Sequence, residues 1–186
     1  MILNVGCGGR SNDEACFLGD VRIDVKRFPS VMFLMDAHFL GFKDSAFEKI
    51  LCFEVLEHLE SPIKALKEFK RVLKEDGGVL ISVPNVWYWR RIRKTKIKKY
   101  ASCQDPEELA TEHKQAWDIH EFNNLARCVG LKITAVKWLD WYPQGKRKLS
   151  IMESLLRFMP QICYTHTMFK LNNMKMETSY VRNKNC

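Results

Sequence analysis

Four short stretches of this chain combine residue types able to do chemistry. Gly6, Cys7 and Gly8 follow the apolar run Ile2–Val5. Glycine there lets backbone N–H groups come close to a ligand. Asp24 closes the second apolar run, Val21–Asp24, where a carboxylate can accept two ribose hydroxyls. Asp36 and Ala37 follow the third run, Val31–Met35, and place a second carboxylate where it can accept an adenine amino group. The fourth run, Lys49–Phe53, leads into Glu54-x-x-Glu57-His58. Two carboxylates and an imidazole at that spacing can converge on a divalent metal. The competing reading is a turn that helps hold a ligand and caps the next helix, so no metal is assigned.

These groups need elements that bring them to one place. The four runs, and a fifth at Val79–Val83 stopped by Pro84, are short and nearly continuously apolar. Such strands form parallel sheets covered on both faces. Ser61 and Pro62 predict a helix start, Ile63, Leu66, Phe69 or Lys70 and Leu73 recur at helical spacing, and Gly77-Gly78 reads as its end. Strand, helix and strand of these lengths make a βαβ unit with a right-handed crossover. Further on, the pattern predicts a helix over Asp118–Cys128 stopped by Gly130, a half-buried strand over Lys132–Trp138, a helix over Leu149–Phe158 and a last strand over Cys163–Leu171. Every candidate side chain then lies at the carboxyl end of a parallel strand, the rim where open α/β sheets bind ligands.

Size and charge narrow the choices. The chain has 186 residues, 46% of them hydrophobic, enough for one domain with a sizeable core. No apolar run is long enough to span a membrane. The seven cysteines are scattered, odd in number and never spaced Cys-x-x-Cys. That argues against zinc and a disulfide framework and predicts a reducing, cytoplasmic setting. The net charge of +8 is uneven, with 11 Lys+Arg against 13 Asp+Glu over residues 1–86 and 19 against 9 over 87–186. The segment Arg90–Lys99 holds seven basic residues in ten and follows Trp87-Tyr88-Trp89. Aromatics beside cations can stack on bases or clamp an anionic substrate, and a solvated basic face reads equally well.

Taken together, "LNVGCGG", "RIDV" and "MDAHFLGFKDSAFEKILCFEVLEHLESPIKALKEFKRVLKEDGGVLISVPN" resemble the class I S-adenosylmethionine-dependent methyltransferases, in particular their broad small-molecule group. The resemblance is strong over residues 2–86, weaker over 113–138 and absent over 139–186. It implies an α/β, Rossmann-like doubly wound fold with a mostly parallel seven-stranded sheet in the order 3-2-1-4-5-7-6, helices on both faces, in a single domain. By resemblance, Gly6, Cys7 and Gly8 line the methionine end of the cofactor with backbone atoms. Asp24 binds the ribose, Asp36 and Ala37 hold the adenine, and Phe53 and Glu54 lie beside the methionyl group. Two departures stand out. Asn4 occupies the place of the family's usual acid, and only 15 positions lead from Gly9 to Asp24, so the first helix is very short or replaced by a loop.

The expected boundaries are a methyltransferase domain over residues 1–171, with 85–117 as a substrate-side insert or lid, and a polar tail over 172–186. The expected activity is methylation of a small molecule or an envelope or metabolite precursor, anionic ones included, with S-adenosylmethionine as cofactor. His113 is the candidate base, because the region before the later helix often faces the substrate in this fold. RNA methylation is the second reading, drawn from the basic second half; a nucleic-acid partner is not favoured. A non-catalytic binding module that retains the cofactor fold is the third, suggested by Asn4 and the clipped first helix. The substrate atom and the oligomeric state are not legible in the sequence.

Overall fold

In the computed structural model, which describes residues 1–8, 14–86, 114–139 and 166–174, Ile2–Val5 forms the central strand β1. It pairs in parallel with β2 (Val21–Asp24) on one side and β4 (Phe47–Phe53) on the other. Beyond β2 lies β3, reduced to Phe33–Leu34, and beyond β4 lies β5 (Leu73–Pro84). β6 (Leu131–Leu139) and β7 (His166–Asn173) complete the sheet, with β7 antiparallel to both β5 and β6. The order β3-β2-β1-β4-β5-β7-β6 is the expected one. No helix among the described residues is long and apolar enough to cross a membrane.

Helix α1 (Pro62–Val72) begins where expected, with Pro62 in its first turn, but the Ser61 side chain makes no cap hydrogen bond. The helix also ends at Val72 and not at Gly77-Gly78. Leu73 turns extended (φ −80°, ψ 135°) and opens β5 directly. The register then slips: Phe47 faces Leu73, whereas Lys49 faces Gly78. Residues 74–77 form the resulting bulge. Gly77 sits inside it because a Cβ there would lie 2.9 Å from the Glu48 carbonyl oxygen and 2.7 Å from the Leu73 side chain. Asn172 and Asn173, which lie past the expected end of the last strand, continue β7 and donate to the carbonyls of Gly77, Lys74 and Glu75.

Helix α2 (Ile119–Cys128) follows its sequence signals closely. Asp118 accepts from the Glu121 N–H and the Glu121 carboxylate accepts in return, a full capping box. Gly130 stops the segment at φ +76°. Phe122 and Ala126 are fully buried, and the Phe122 ring stacks on Phe169 of β7 with centroids 4.2 Å apart. The expected helix Leu149–Phe158 lies outside the described residues.

The two sheet edges differ. The β6 edge exposes Lys132, Thr134 and Lys137, charged and polar residues that discourage strand addition. The β3 edge exposes Phe33 (50%) and Leu34 (54%) beside Met32. Expected over Val31–Met35, β3 is short because Val31 is drawn into a turn through its N–H bond to the Phe28 carbonyl.

The loop between β3 and β4 hangs on Arg71 of α1. Its guanidinium holds Glu68 through two parallel bonds of 2.8 Å and donates to the carbonyls of Leu40 and Phe42 and to Asp44. Glu68 in turn accepts the Leu40 N–H at 2.8 Å. Hydrogen bonds from Arg71 hold the Glu68 carboxyl below its ordinary value against the opposing effect of burial. Stability from this pair is therefore present above the ordinary carboxylate range and is lost as the pH falls through the depressed folded value. Lysine cannot reproduce a planar fork. Arg71→Lys is expected to lower unfolding stability by about 1–3 kcal/mol in urea titrations at neutral pH, with the gap to wild type closing in acid as Glu68 protonates. Equal stabilities at neutral pH would contradict this account.

Candidate functional site

The carboxyl ends of β1 to β4 form one rim. After Val5 the chain turns sharply, with Gly6 at φ +71° and both Gly6 N and Cys7 N donating to the Ile23 carbonyl, at 2.9 and 3.2 Å. A side chain at Gly6 would collide with Val55, and one at Gly8 with the Phe28 ring. The Gly8 N–H donates to Asp24 Oδ2 at 2.9 Å, and Asp24 Oδ1 accepts the Lys26 N–H at 2.9 Å. The glycine turn and the β2 carboxylate are thus one unit. Ser30 strengthens it, since its hydroxyl donates to the Cys7 carbonyl at 2.9 Å. Burial, aided by Asp24, pushes the Cys7 thiol up to about 11, so Cys7 stays protonated at neutral pH and contributes backbone atoms and packing rather than a nucleophile.

Asp36 and Ala37 follow β3 as expected, with Ala37 buried and Asp36 half exposed. Asp36 Oδ1 accepts both the backbone N–H of His38 (2.9 Å) and its ring Nδ1 (2.7 Å). Burial raises the Asp36 pKa, but the His38 bonds outweigh it and hold the carboxyl below its ordinary value. Phe53 ends β4, and Glu54 follows at φ +55°, a region costly for a residue with a Cβ. The bond from the Ser82 hydroxyl to Glu54 Oε1 (2.7 Å) and that from Glu54 N to the Ser82 carbonyl (3.1 Å) hold it there.

Glu57 does not share the rim with Glu54. Its side chain is fully buried, 3.9 Å from the partly exposed His58 ring. Its carbonyl accepts the N–H groups of Lys114 and Gln115, which fastens the chain leading to α2 at the end of β4. Among the described residues no three acidic, histidine or cysteine side chains are grouped to hold a metal ion. His113, the aromatic run Trp87–Trp89 and the basic segment Arg90–Lys99 lie outside the described residues.

The cofactor implied by the resemblance fits this donor set. Two carboxylates stand at adjacent strand ends beside a turn whose residues at two positions have no room for a side chain. Sequence reasoning missed Ser30, His38 and Ser82. Their only signal was polarity near an already chosen motif, and their distant partners, Cys7, Ser61 and Glu54, lie 23, 23 and 28 residues away in the chain.

A model of the methyltransferase domain matches residues 3–136. The chain belongs to the methyltransferase-domain family. An uncharacterised protein of Methanocaldococcus jannaschii is 33% identical over 93 residues, 46% of this chain and 41% of that protein, so the match spans well under half of that relative. Among solved structures, a Haloferax volcanii methyltransferase in complex with the activator Trm112 is similar with TM-score 0.61 at 14% identity, over 94% of this chain and 82% of that one. An S-adenosylmethionine-dependent methyltransferase of Archaeoglobus fulgidus gives 0.59 at 14%, over 91% and 84%. The 1,6-didemethyltoxoflavin-N1-methyltransferase of Burkholderia thailandensis, with its substrate and S-adenosylhomocysteine bound, gives 0.60 at 15%, over 94% and 71%.

Asn4 explains itself in this methyltransferase. It is buried, and its amide nitrogen donates to the carbonyls of Ala15 (2.9 Å) and Leu18 (3.1 Å). Those carbonyls belong to and follow the 3-10 turn Glu14–Phe17, the whole of the described helical structure between β1 and β2. Two facing acceptors call for two donor hydrogens, which the Asn4 amide supplies and a carboxylate does not. Asn4→Asp is expected to cost about 3 kcal/mol, more than Asn4→Ala, because it sets a buried carboxylate against two carbonyls. Thermal melts of the two variants check this, and an Asp variant as stable as wild type would refute it.

Proposed function

We propose that this methyltransferase modifies a small, anionic molecule and that the strand-end residues hold S-adenosylmethionine. The observation that carries the reading is the joined unit of Gly8 and Asp24, 2.9 Å apart, with Asp36 at the next strand end. Asp24 accepts the ribose hydroxyls, Asp36 and Ala37 the adenine, and the backbone of Gly6, Cys7 and Gly8 faces the methionine portion. Phe53 and Glu54 flank the methionyl group. The cofactor supplies a methyl group on a sulfonium centre whose sulfur leaves neutral, so the protein needs no acid. Its residues align the acceptor and exclude water, and His113 takes a proton where the acceptor carries one. The basic run Arg90–Lys99 supports an anionic substrate. The fold neighbour from Burkholderia, which binds a small substrate, supports the size class. RNA methylation has that same basic run as its support.

Calorimetry with S-adenosylhomocysteine tests the site. Asp24→Ala should weaken binding by roughly 10- to 100-fold, the effect of losing hydrogen bonds to a charged group. Equal affinity would sink the assignment.

A partner subunit is the second element of this proposal. The β3 edge exposes Phe33 and Leu34, and Val25 and Phe39 nearby are also exposed. A groove lined by Arg27, Phe28, Met32 and Met35 runs beside it. The fold neighbour from Haloferax is held by a Trm112 activator, and an exposed, largely apolar sheet edge is the kind of surface on which a partner docks. Co-expression with a Trm112 protein followed by size-exclusion chromatography should give a complex that Leu34→Asp abolishes. No complex with the unaltered chain would end this reading.

A further inference from the structure

His38 links the loop after β3 to the start of α1. Its ring Nδ1 bonds Asp36 Oδ1 at 2.7 Å, and its Nε2 receives the backbone N–H of Ser61 at 3.2 Å. Ser61 is the residue that opens α1. A backbone N–H can only donate, so Nε2 is the bare nitrogen and a neutral ring carries its proton on Nδ1, aimed at Asp36. The ring is also sheltered, with 14% of its side chain exposed against 50% for Asp36. With the His38 backbone N–H on the same oxygen, Oδ1 is held twice. Among the described residues no bond to Oδ2 is made, which leaves it as the acceptor for an outside donor.

We infer that His38 is a positioning residue that makes the site select a 6-aminopurine. Locked in one tautomer by Ser61, it fixes the Asp36 carboxylate and keeps it ionised. An ionised carboxylate offers acceptors alone. It accepts an exocyclic amino group and repels a carbonyl at the same ring position, so the deaminated, hypoxanthine-bearing analogue is rejected. This inference rests on the assignment of Asp36 to the adenine in the proposed function.

The test compares S-adenosylhomocysteine with S-inosylhomocysteine by calorimetry. The wild-type protein should prefer the adenosyl compound by roughly tenfold or more. His38→Ala should lose most of that preference by weakening the adenosyl compound, with the affinity for the inosyl compound changed less than about twofold. His38→Asn, whose amide nitrogen stands close to the place of Nδ1, should recover part of it. Equal weakening of both ligands would mark His38 as merely structural and overturn the inference, as would a preference intact in His38→Ala. A wild-type protein that binds neither ligand would bring down the underlying cofactor reading, and this inference with it. A second measurement needs neither ligand nor variant. Nitrogen NMR of the ligand-free protein at neutral pH should show Nδ1 protonated and Nε2 bare, and the opposite tautomer would overturn the proposal.

Discussion

The parallel pairing of β1 with both β2 and β4 is the constraint on which the rest depends. With Val5 opposite Ile23 on one side and Cys52 on the other, the three strands end level. Gly6, Asp24 and Glu54 therefore come out on one rim. Leu3 and Val5 are buried in the core with Ile23, Ile50 and Cys52. A slip of one residue would turn β1 over, exchanging Leu3 and Val5 with the buried Asn4 and parting its amide from the carbonyls of Ala15 and Leu18, so packing and hydrogen bonding together enforce the register. The turn after β1 adds its own lock, since the Ile23 carbonyl accepts from both Gly6 and Cys7.

The same economy appears where the fold is reduced. A first helix shortened to Glu14–Phe17 leaves carbonyls near the buried end of the sheet. Asn4 satisfies two of them from inside β1. Asn4, which stands in the place of the family's usual acid, serves the scaffold here. On the other side of the sheet centre, a pair of antiparallel connections through β7 closes the structure. Phe169 meets Phe122 there and buries α2 against the sheet. The asparagines at the end of β7 hold the bulge that opens β5.

Around the rim, precision comes from backbone partners. Asp24 is tied to Gly8 and Lys26, Asp36 to His38, and His38 to Ser61. Glu54 keeps its left-handed backbone through Ser82 on the neighbouring strand. Carboxylates anchored this way need little reorganisation to meet a ligand. The loops that carry them are in turn fastened to α1 by Arg71 and by the N–H of Ser61.

The strand order was implied by the family resemblance, whereas the sequence by itself determined the place of α2 and the strand-end places of Gly6, Gly8, Asp24, Asp36 and Glu54. These follow from local signals: apolar runs of strand length, a glycine where the backbone must turn, and Gly130 where the helix stops. It misplaced the end of α1, because Gly77-Gly78 looks like a helix stop when the facing strand is unseen. Only the tertiary structure showed that Gly77 is glycine for the sake of the Glu48 backbone opposite. Likewise, Glu54, Glu57 and His58 look like one cluster along the chain. Folding points Glu57 into the core and leaves Glu54 on the rim. The roles of Asn4, His38 and Ser82 were also decided in three dimensions, each by a partner between 11 and 28 residues away. A hydrogen bond at that separation leaves no periodic trace, since its partner is chosen by the sheet and not by neighbours in the chain.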